Sequence, residues 1–299
     1  MKPCCTSNSP ASMTTAYLNG SFLPLEDARV PVMDRGFLFG DGVYEVIPAY
    51  GGRLFRLEQH LQRLQNSLDG VRIGNPLTTD AWQELLEELV SRNTGSDQAV
   101  YLQVTRGVAP KRDHAFPADV RPTVFAMSNP LPEPRDIAGE PGIHAITLPD
   151  IRWQHCNIKA ITLLPNVMLR QQAVEADTAE AILIKDGYAT EGAASNIFIV
   201  RNGILVTPPK GPTLLPGITR DLIIELAASN AIPYREADIS EAELHAAGEI
   251  WLTSSTREIS PVVRLDDAAV GNGRPGPVWR HMIALFQAYK DAIRRGEAA

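Results

Sequence analysis

The sequence predicts an α+β fold in two domains, and three observations predict it. Strand-like and helix-like segments follow one another without the regular alternation that a doubly wound parallel sheet requires. Hairpin signals recur, beginning with Asn19-Gly20 between two short apolar runs. A proline-rich segment, Asn129-Pro-Leu-Pro-Glu-Pro-Arg135, separates two long stretches of patterned sequence. Together these place a leader at residues 1–13, a small N-terminal domain at 14–130, a linker at 131–138 and a larger C-terminal domain at 139–299.

The elements follow in order. Tyr17 to Phe22 reads as strand, Asn-Gly turn and strand. Val43 to Ile47 alternates apolar and polar as a strand does, and the turn Gly51-Gly52 follows it. Leu57, Leu61, Leu64 and Leu68 recur at helical spacing with polar residues between them, so this segment is an amphipathic helix. His60 and Arg63 are neighbours on its surface. Thr79 to Arg92 is a second such helix with a Thr/Asp start. Ala99 to Thr105 and Thr123 to Met127 are strands with a long loop between them.

Beyond the linker, Ile143 to Leu148 is a strand and Pro165 to Ala176 a helix. Strands at Glu180 to Lys185 and Ala189 to Val200 flank an Asp-Gly-Tyr turn, and a further strand spans Ile204 to Thr207. A Pro/Gly loop leads to a helix at Ile218 to Asn230, a strand at Tyr234 to Asp238, a short helix at Glu241 to Ala247 and a strand at Glu249 to Thr253. Val278 to Arg294 is the final amphipathic helix.

Composition narrows the function classes. The net charge of −7 and the absence of a basic stripe argue against nucleic acid as the main partner, because nothing would neutralise its phosphates. No apolar run is long enough to span a membrane. The leader is polar and Pro/Ser-rich, without the apolar core of a secretory signal, and is expected to be disordered. Cys4, Cys5 and Cys156 form neither a disulfide framework nor a metal-binding spacing. A cytoplasmic protein acting on small molecules is expected.

Among six lysines, Lys159 stands out because it sits in the apolar run Ile158 to Leu164. Lys2, Lys111, Lys185, Lys210 and Lys290 all occupy segments that read as solvated. A lysine in apolar surroundings loses solvation of its charged form, and its amine becomes the nucleophile of Schiff-base chemistry. A lysine snorkelling from a strand edge fits the same stretch.

Other segments carry similar ambiguities. Leu214-Leu-Pro-Gly-Ile-Thr-Arg-Asp221 enters a helix, where free N–H groups around Ile218 and Thr219 favour an anion or simply mark a cap. Thr253-Ser-Ser-Thr256 offers the hydroxyls of Ser255 and Thr256 and turn amides at a strand end. Arg63 offers a fork for phosphate. Glu191, among small residues, is either a turn glutamate in water or a half-buried carboxylate in need of a positive partner. Arg112 and His114, two apart in an extended loop, either clamp a carboxylate or belong to a solvated basic loop.

Six motifs in order carry a resemblance. They are Asp34-Arg-Gly36, Gly40-Asp-Gly-Val-Tyr-Glu45, Glu58-Gln-His-Leu-Gln-Arg63, Asn157-Ile-Lys159, Thr190-Glu-Gly-Ala-Ala-Ser-Asn196 and Leu215-Pro-Gly-Ile-Thr-Arg-Asp221. From about Tyr17 onward the sequence resembles the fold-type IV pyridoxal-phosphate enzymes, the class IV aminotransferases. Gln103-Val-Thr-Arg-Gly107 followed by Arg112-x-His114 resembles the D-amino-acid group within them, with Lys111 as one extra residue in the loop relative to some members. The resemblance implies a two-domain fold-type IV architecture, pyridoxal 5'-phosphate as cofactor and a homodimer with sites near the subunit interface. It makes Lys159 the residue that holds the cofactor and moves the substrate proton, and Glu191 the acid on the pyridine nitrogen. Arg63, Ile218, Thr219 and Thr256 match phosphate contacts, and Tyr44 matches a tyrosine on the substrate side. Arg112 and His114 match a carboxylate trap that the partner subunit supplies. The implied reaction moves the amino group of D-alanine, D-glutamate or D-aspartate to 2-oxoglutarate or pyruvate.

Branched-chain L-amino-acid aminotransferases, aminodeoxychorismate lyases and (R)-amine transaminases share the fold and the lysine. Arg112 and His114 favour the D-amino-acid reading over the amine reading. Lys159 with Glu191 disfavours a non-catalytic pyridoxal-phosphate carrier.

Overall fold

The structure, a computed structural model of the chain, describes residues 14–132 and 139–297. The leader, Cys4, Cys5, Lys2 and most of the expected linker lie outside the described residues. Strands β1 (Thr15–Leu18), β2 (Ser21–Pro24), β3 (Gly42–Tyr50), β4 (Arg53–Leu54), β5 (Gln98–Thr105) and β6 (Thr123–Pro130) form one antiparallel sheet in the order β2-β1-β6-β5-β3-β4. Helices α1 (Arg35–Phe39), α2 (Leu57–Gly70) and α3 (Thr79–Ser91) accompany it. The leucine stripe of α2 does what its spacing requires. Leu61, Leu64 and Leu68 share one core with Val43 and Ile47 of β3 and with Trp82, Leu86 and Leu89 of α3.

The second sheet holds β7 (Ile143–Pro149), β8 (Glu180–Lys185), β9 (Tyr188–Gly192), β10 (Asn196–Arg201), β11 (Ile204–Thr207), β12 (Tyr234–Glu236), β13 (Ile239–Ser240), β14 (Glu249–Ser254), β15 (Glu258–Leu265) and β16 (Ala268–Ala269). Its path is β12-β11-β10-β14-β15-β7-β8-β9-β13, with β16 on β15. It is mixed: β7 runs parallel to both β8 and β15, and β11 parallel to β12. Helices α4 (Leu164–Glu175), α5 (Ile218–Ser229), α6 (Glu241–His245) and α7 (Pro277–Arg295) complete this part. Tyr50 and Phe55 from the first half share a core with α5 and α7, which ties the two sheets together.

Several expectations change. The run Ala189 to Val200 is two strands, β9 and β10, broken at residues 193–195. The break lets β9 pair with β8 while β10 turns away to pair with β14. Tyr234 to Asp238 shortens to β12, and the strand content resumes at β13. β6 runs on to Pro130, through Asn129 of the expected linker segment, because Gln98 and Ala99 of β5 pair with these residues. β15 and the short α1 have no counterpart in the sequence reading. Pro261 hides β15, since proline argues against a central strand. It is tolerated because it lies just before pairing with β7 begins, at Val262 opposite Ile143.

Lys290 is a further correction. It is buried, with Nζ paired to Glu258 and 4.4 Å from the Tyr50 ring centroid. Burial alone therefore does not single out Lys159; what differs is that Lys290 has a carboxylate partner.

Candidate active site

Lys159 lies on a segment that leaves the second sheet and lies against the first. The Tyr44 amide of β3 donates to the Lys159 carbonyl at 3.0 Å, and the Ile161 amide donates to the Gly42 carbonyl at 3.1 Å. The Lys159 amide donates to Ser67 Oγ of α2 at 3.1 Å. This stitching fixes the backbone of the lysine, while its side chain enters a cavity of about 490 Å³ between the sheets. Nζ stands 4.3 Å from the Tyr44 ring centroid. Lys159 is half-buried, and no carboxylate pairs with it among the described residues.

Glu191, at the end of β9, is buried and lines the same cavity. Its positive partner in the chain is Arg152, whose Nη1 donates to Oε1. Asn196 Nδ2 and the Leu215 amide each donate to Oε2 at 3.0 Å. Burial pushes the Glu191 carboxyl up to about 7, against the downward pull of Arg152. Arg152 is itself held by Asp150, through Nε at 2.9 Å and Nη2 at 2.7 Å. Asn196 also donates to the Leu215 carbonyl at 2.8 Å, so it crosses from β10 to the loop before α5. A Cβ on Gly217 would stand 1.9 Å from Asn196 Oδ1, so this crossing needs glycine there.

Helix α5 starts at Ile218 with Gly217 as its N-cap and no side-chain cap. Gly217, Ile218 and Thr219 line the cavity, so the free N–H groups of the first turn and the positive end of the helix face it. Arg63 of α2 lines the same end. It is fixed by Glu45 through Nε at 2.8 Å and Nη2 at 2.7 Å, and by the Pro216 carbonyl through Nη1 at 3.0 Å. His60 Nδ1 meets Glu45 Oε2, which also accepts from Arg63 Nη2, at 2.8 Å. Glu45 and His60 are fully buried. Against the upward push of burial, Arg63 and His60 hold the Glu45 carboxyl well below the usual carboxylate range.

The structure brings Tyr44, Arg63, Lys159, Glu191, Ile218, Thr219 and Ser255 to one cavity. Thr256 is exposed and lines a separate cleft with Arg170 and Lys290, because the chain turns as β14 ends. Arg112 and His114 are also outside the cavity. Both are exposed in the loop between β5 and β6, where the His114 ring meets Phe39 of α1 at a tilt and the Arg112 guanidinium lies over the same ring.

The cavity suits a planar, phosphorylated aldehyde. An amine faces it at one side, a buried carboxylate at another, and the Arg63 guanidinium, held by Glu45, beside an uncapped helix start at a third. Thr253 Oγ1, also on its wall, is buried with no hydrogen-bond partner among the described residues.

Sequence reading missed Arg152 and Asn196, which hold Glu191, Asp150, which holds Arg152, and Glu45, which holds Arg63. Glu45 had a signal: it shares a strand face with Val43 and Ile47, both core residues, so an unpaired glutamate there was untenable.

A sequence model of the family described as amino-transferase class IV matches residues 42–265. The D-alanine aminotransferase of Bacillus licheniformis is 39% identical over 269 residues, covering 90% of this chain and 94% of that protein. That of Staphylococcus haemolyticus is 37% identical, covering 93% and 98%. Among solved structures, the branched-chain amino acid aminotransferase of Escherichia coli superposes with a TM-score of 0.86 at 29% identity, over 96% of each chain. A fold IV transaminase of Curtobacterium pusillum gives 0.78 at 26% identity, covering 93% of this chain and 98% of that one. The architecture is that of fold-type IV, and the chain belongs to the class IV amino-transferase family.

Proposed function

We propose that the protein transfers the amino group of D-amino acids, D-alanine among them, to a 2-oxo acid such as 2-oxoglutarate or pyruvate, with pyridoxal 5'-phosphate as cofactor. The observation that carries the choice of substrate is the 39% identity to a D-alanine aminotransferase across 90% of the chain. When bound, the cofactor supplies an aldehyde that takes up the amino group and a ring that spreads negative charge from the substrate α-carbon.

The chain's residues divide the remaining work. Lys159 Nζ would hold the cofactor, and its amine is placed to move the proton of the substrate α-carbon. Glu191 would hold the proton on the ring nitrogen, and Arg152 keeps Glu191 in place. Arg63, the N–H groups of Ile218 and Thr219, and Ser255 would bind the cofactor's phosphate. Thr256 contributes through the turn that presents Ser255. Tyr44 bounds the substrate side.

Arg112 and His114 stand outside their own chain's cavity, which supports a homodimer in which each subunit lends them to the other. In that arrangement they bind the substrate carboxylate. The two sheets correspond to two domains joined at residues 131–138. No helix of the described residues is long and apolar enough to cross a membrane; we read the protein as cytoplasmic.

The likeness to a branched-chain aminotransferase structure supports a second reading, in which L-leucine is the amino donor. Rapid-mixing half-reactions of the holoenzyme with D-alanine, L-alanine and L-leucine decide between them. Conversion of the cofactor by D-alanine is the expected result. Preference for L-leucine overturns the D-amino-acid assignment.

A further inference from the structure

The loop between β5 and β6, residues 106–122, is exposed yet held from beneath by one ion cluster. Arg35 of α1 is 3% exposed. Its guanidinium grips three consecutive carbonyls of the loop: Nη1 donates to Asp113 at 2.5 Å and to Ala115 at 3.3 Å, and Nη2 donates to His114 at 3.2 Å. Its Nε donates to Asp41 Oδ2 at 2.7 Å. The same carboxylate accepts from Arg106 at the start of the loop, from Nε at 2.7 Å and Nη2 at 2.9 Å. Arg106 in turn donates to the carbonyls of Val71 and Arg72, at the end of α2.

One acid, Asp41, therefore fixes both the root of the loop and the arginine that holds its tip. Gly107 closes the base: its φ is 102°, and a Cβ there would lie 1.9 Å from the Arg121 carbonyl. Phe116 packs back on Arg106, 3.6 Å from ring centroid to guanidinium carbon. Phe39, on α1 with Arg35, meets the His114 ring at a tilt, 5.3 Å between centroids, and has the Arg112 guanidinium over its ring at 5.1 Å.

These contacts act on the backbone that carries Arg112 and His114. Recognition of a carboxylate by a fork and a second donor demands placement to about 0.5 Å. Without anchors, the loop would have to be ordered at the moment of binding, and the conformational entropy lost then would weaken substrate affinity. We propose that Arg35 and Asp41 are positioning residues for substrate-carboxylate recognition, presetting the Arg112–His114 segment through its own carbonyls. The proposal rests on the reading of Arg112 and His114 as the carboxylate contacts. It predicts that weakening the anchor raises the substrate concentration needed, with little effect on cofactor binding or on the proton transfer at Lys159.

The test uses holoenzymes of Asp41→Asn, Arg35→Lys and, as reference, Arg112→Ala. Asp41→Asn keeps the shape and removes the charge that two arginines share. Arg35→Lys keeps the charge and loses the fork. In D-alanine half-reactions both anchor variants are expected to raise the half-saturating concentration about tenfold, which is about 1.4 kcal/mol. The saturating rate and the pyridoxal-phosphate dissociation constant should stay within about threefold, well under that decade. Hydrogen–deuterium exchange should rise over residues 111–116. A loss of cofactor affinity in step with substrate affinity would assign the cluster to general stability and overturn the proposal. Unchanged half-saturation in both anchor variants, with a clear loss in Arg112→Ala, overturns the proposal alone. An unchanged Arg112→Ala overturns the carboxylate reading and the proposal with it. Should Arg35→Lys fail to fold, Asp41→Asn decides.

Discussion

Arg152→Met is the perturbation whose cost the structure fixes best. Arg152 donates to Asp150 from Nε at 2.9 Å and Nη2 at 2.7 Å, to the Thr213 carbonyl at 3.2 Å, and to Glu191 from Nη1. The Asp150 and Glu191 side chains are only 3% and 5% exposed. Removing one partner of a buried ion pair costs about 3–5 kcal/mol, because a charge is left without compensation. With an unfolding entropy of about 2.1 cal/mol/K per residue, that lowers Tm by about 5–8 °C in a chain of this length.

The loss must also depend on pH, and its sign is fixed. Burial pushes the Glu191 carboxyl up to about 7 even with Arg152 present. A carboxyl raised in the folded state binds protons there more readily than in the unfolded chain. Its favourable contribution is full below the unfolded value of 4.5 and is lost as pH rises through about 7. Without Arg152 both acids hold protons to higher pH, so the destabilisation should be smaller at about pH 5 than at about pH 8. Scanning calorimetry of the apoprotein at both pH values measures it. A Tm within about 1 °C of wild type at pH 8, less than 1 kcal/mol for this chain length, would show that Arg152 does not carry Glu191. So would a larger loss at pH 5.

Three further outcomes follow from the site. Lys159→Ala should abolish turnover and the visible absorbance of bound cofactor, and borohydride reduction of wild type should label the Lys159 peptide; a label on Lys185 or Lys210 contradicts the assignment. Arg63→Lys keeps a charge but gives up the two-point hold on Glu45 that fixes the guanidinium at the cavity wall, so cofactor affinity should fall about tenfold or more, the worth of a charge-assisted contact; equal cofactor retention after dialysis argues against a phosphate role. Against the upward push of burial, Arg106 with Arg35, and Arg152 with Thr190, hold the Asp41 and Asp150 carboxyls below the usual range. Their contribution is therefore full above about pH 4 and lost as pH falls further, so acid titration of Asp41→Asn should lose part of the wild-type dependence.

The sequence by itself determined the helices and hairpins whose signal is local. The leucines of α2 and the Asn19-Gly20 turn needed no partner to be read, since spacing and backbone preference decide them. It also singled out Lys159 in an apolar run, Glu191 among small residues, Arg63 as a fork on its helix, and the start of α5 as a helix entry. Pairing with distant chain stayed hidden. β15 needed β14 and β7 to make a strand of a proline-containing run, and the split of β9 from β10 follows from which neighbours each meets.

The electrostatics were hidden for the same reason. Glu191 reads alone as an acid in search of a cation, and only folding brings Arg152 across 39 residues to serve it. Lys290 looks solvated on its helix until Glu258 and Tyr50 close over it. The loop with Arg112 and His114 shows the limit from the other side. The sequence marked the two residues, but their distance from their own cavity, and the Arg35–Asp41–Arg106 anchor beneath them, belong to the tertiary structure. Local sequence sets which groups a segment offers, whereas burial and long-range contact set which of them must be paired and which are left to do chemistry.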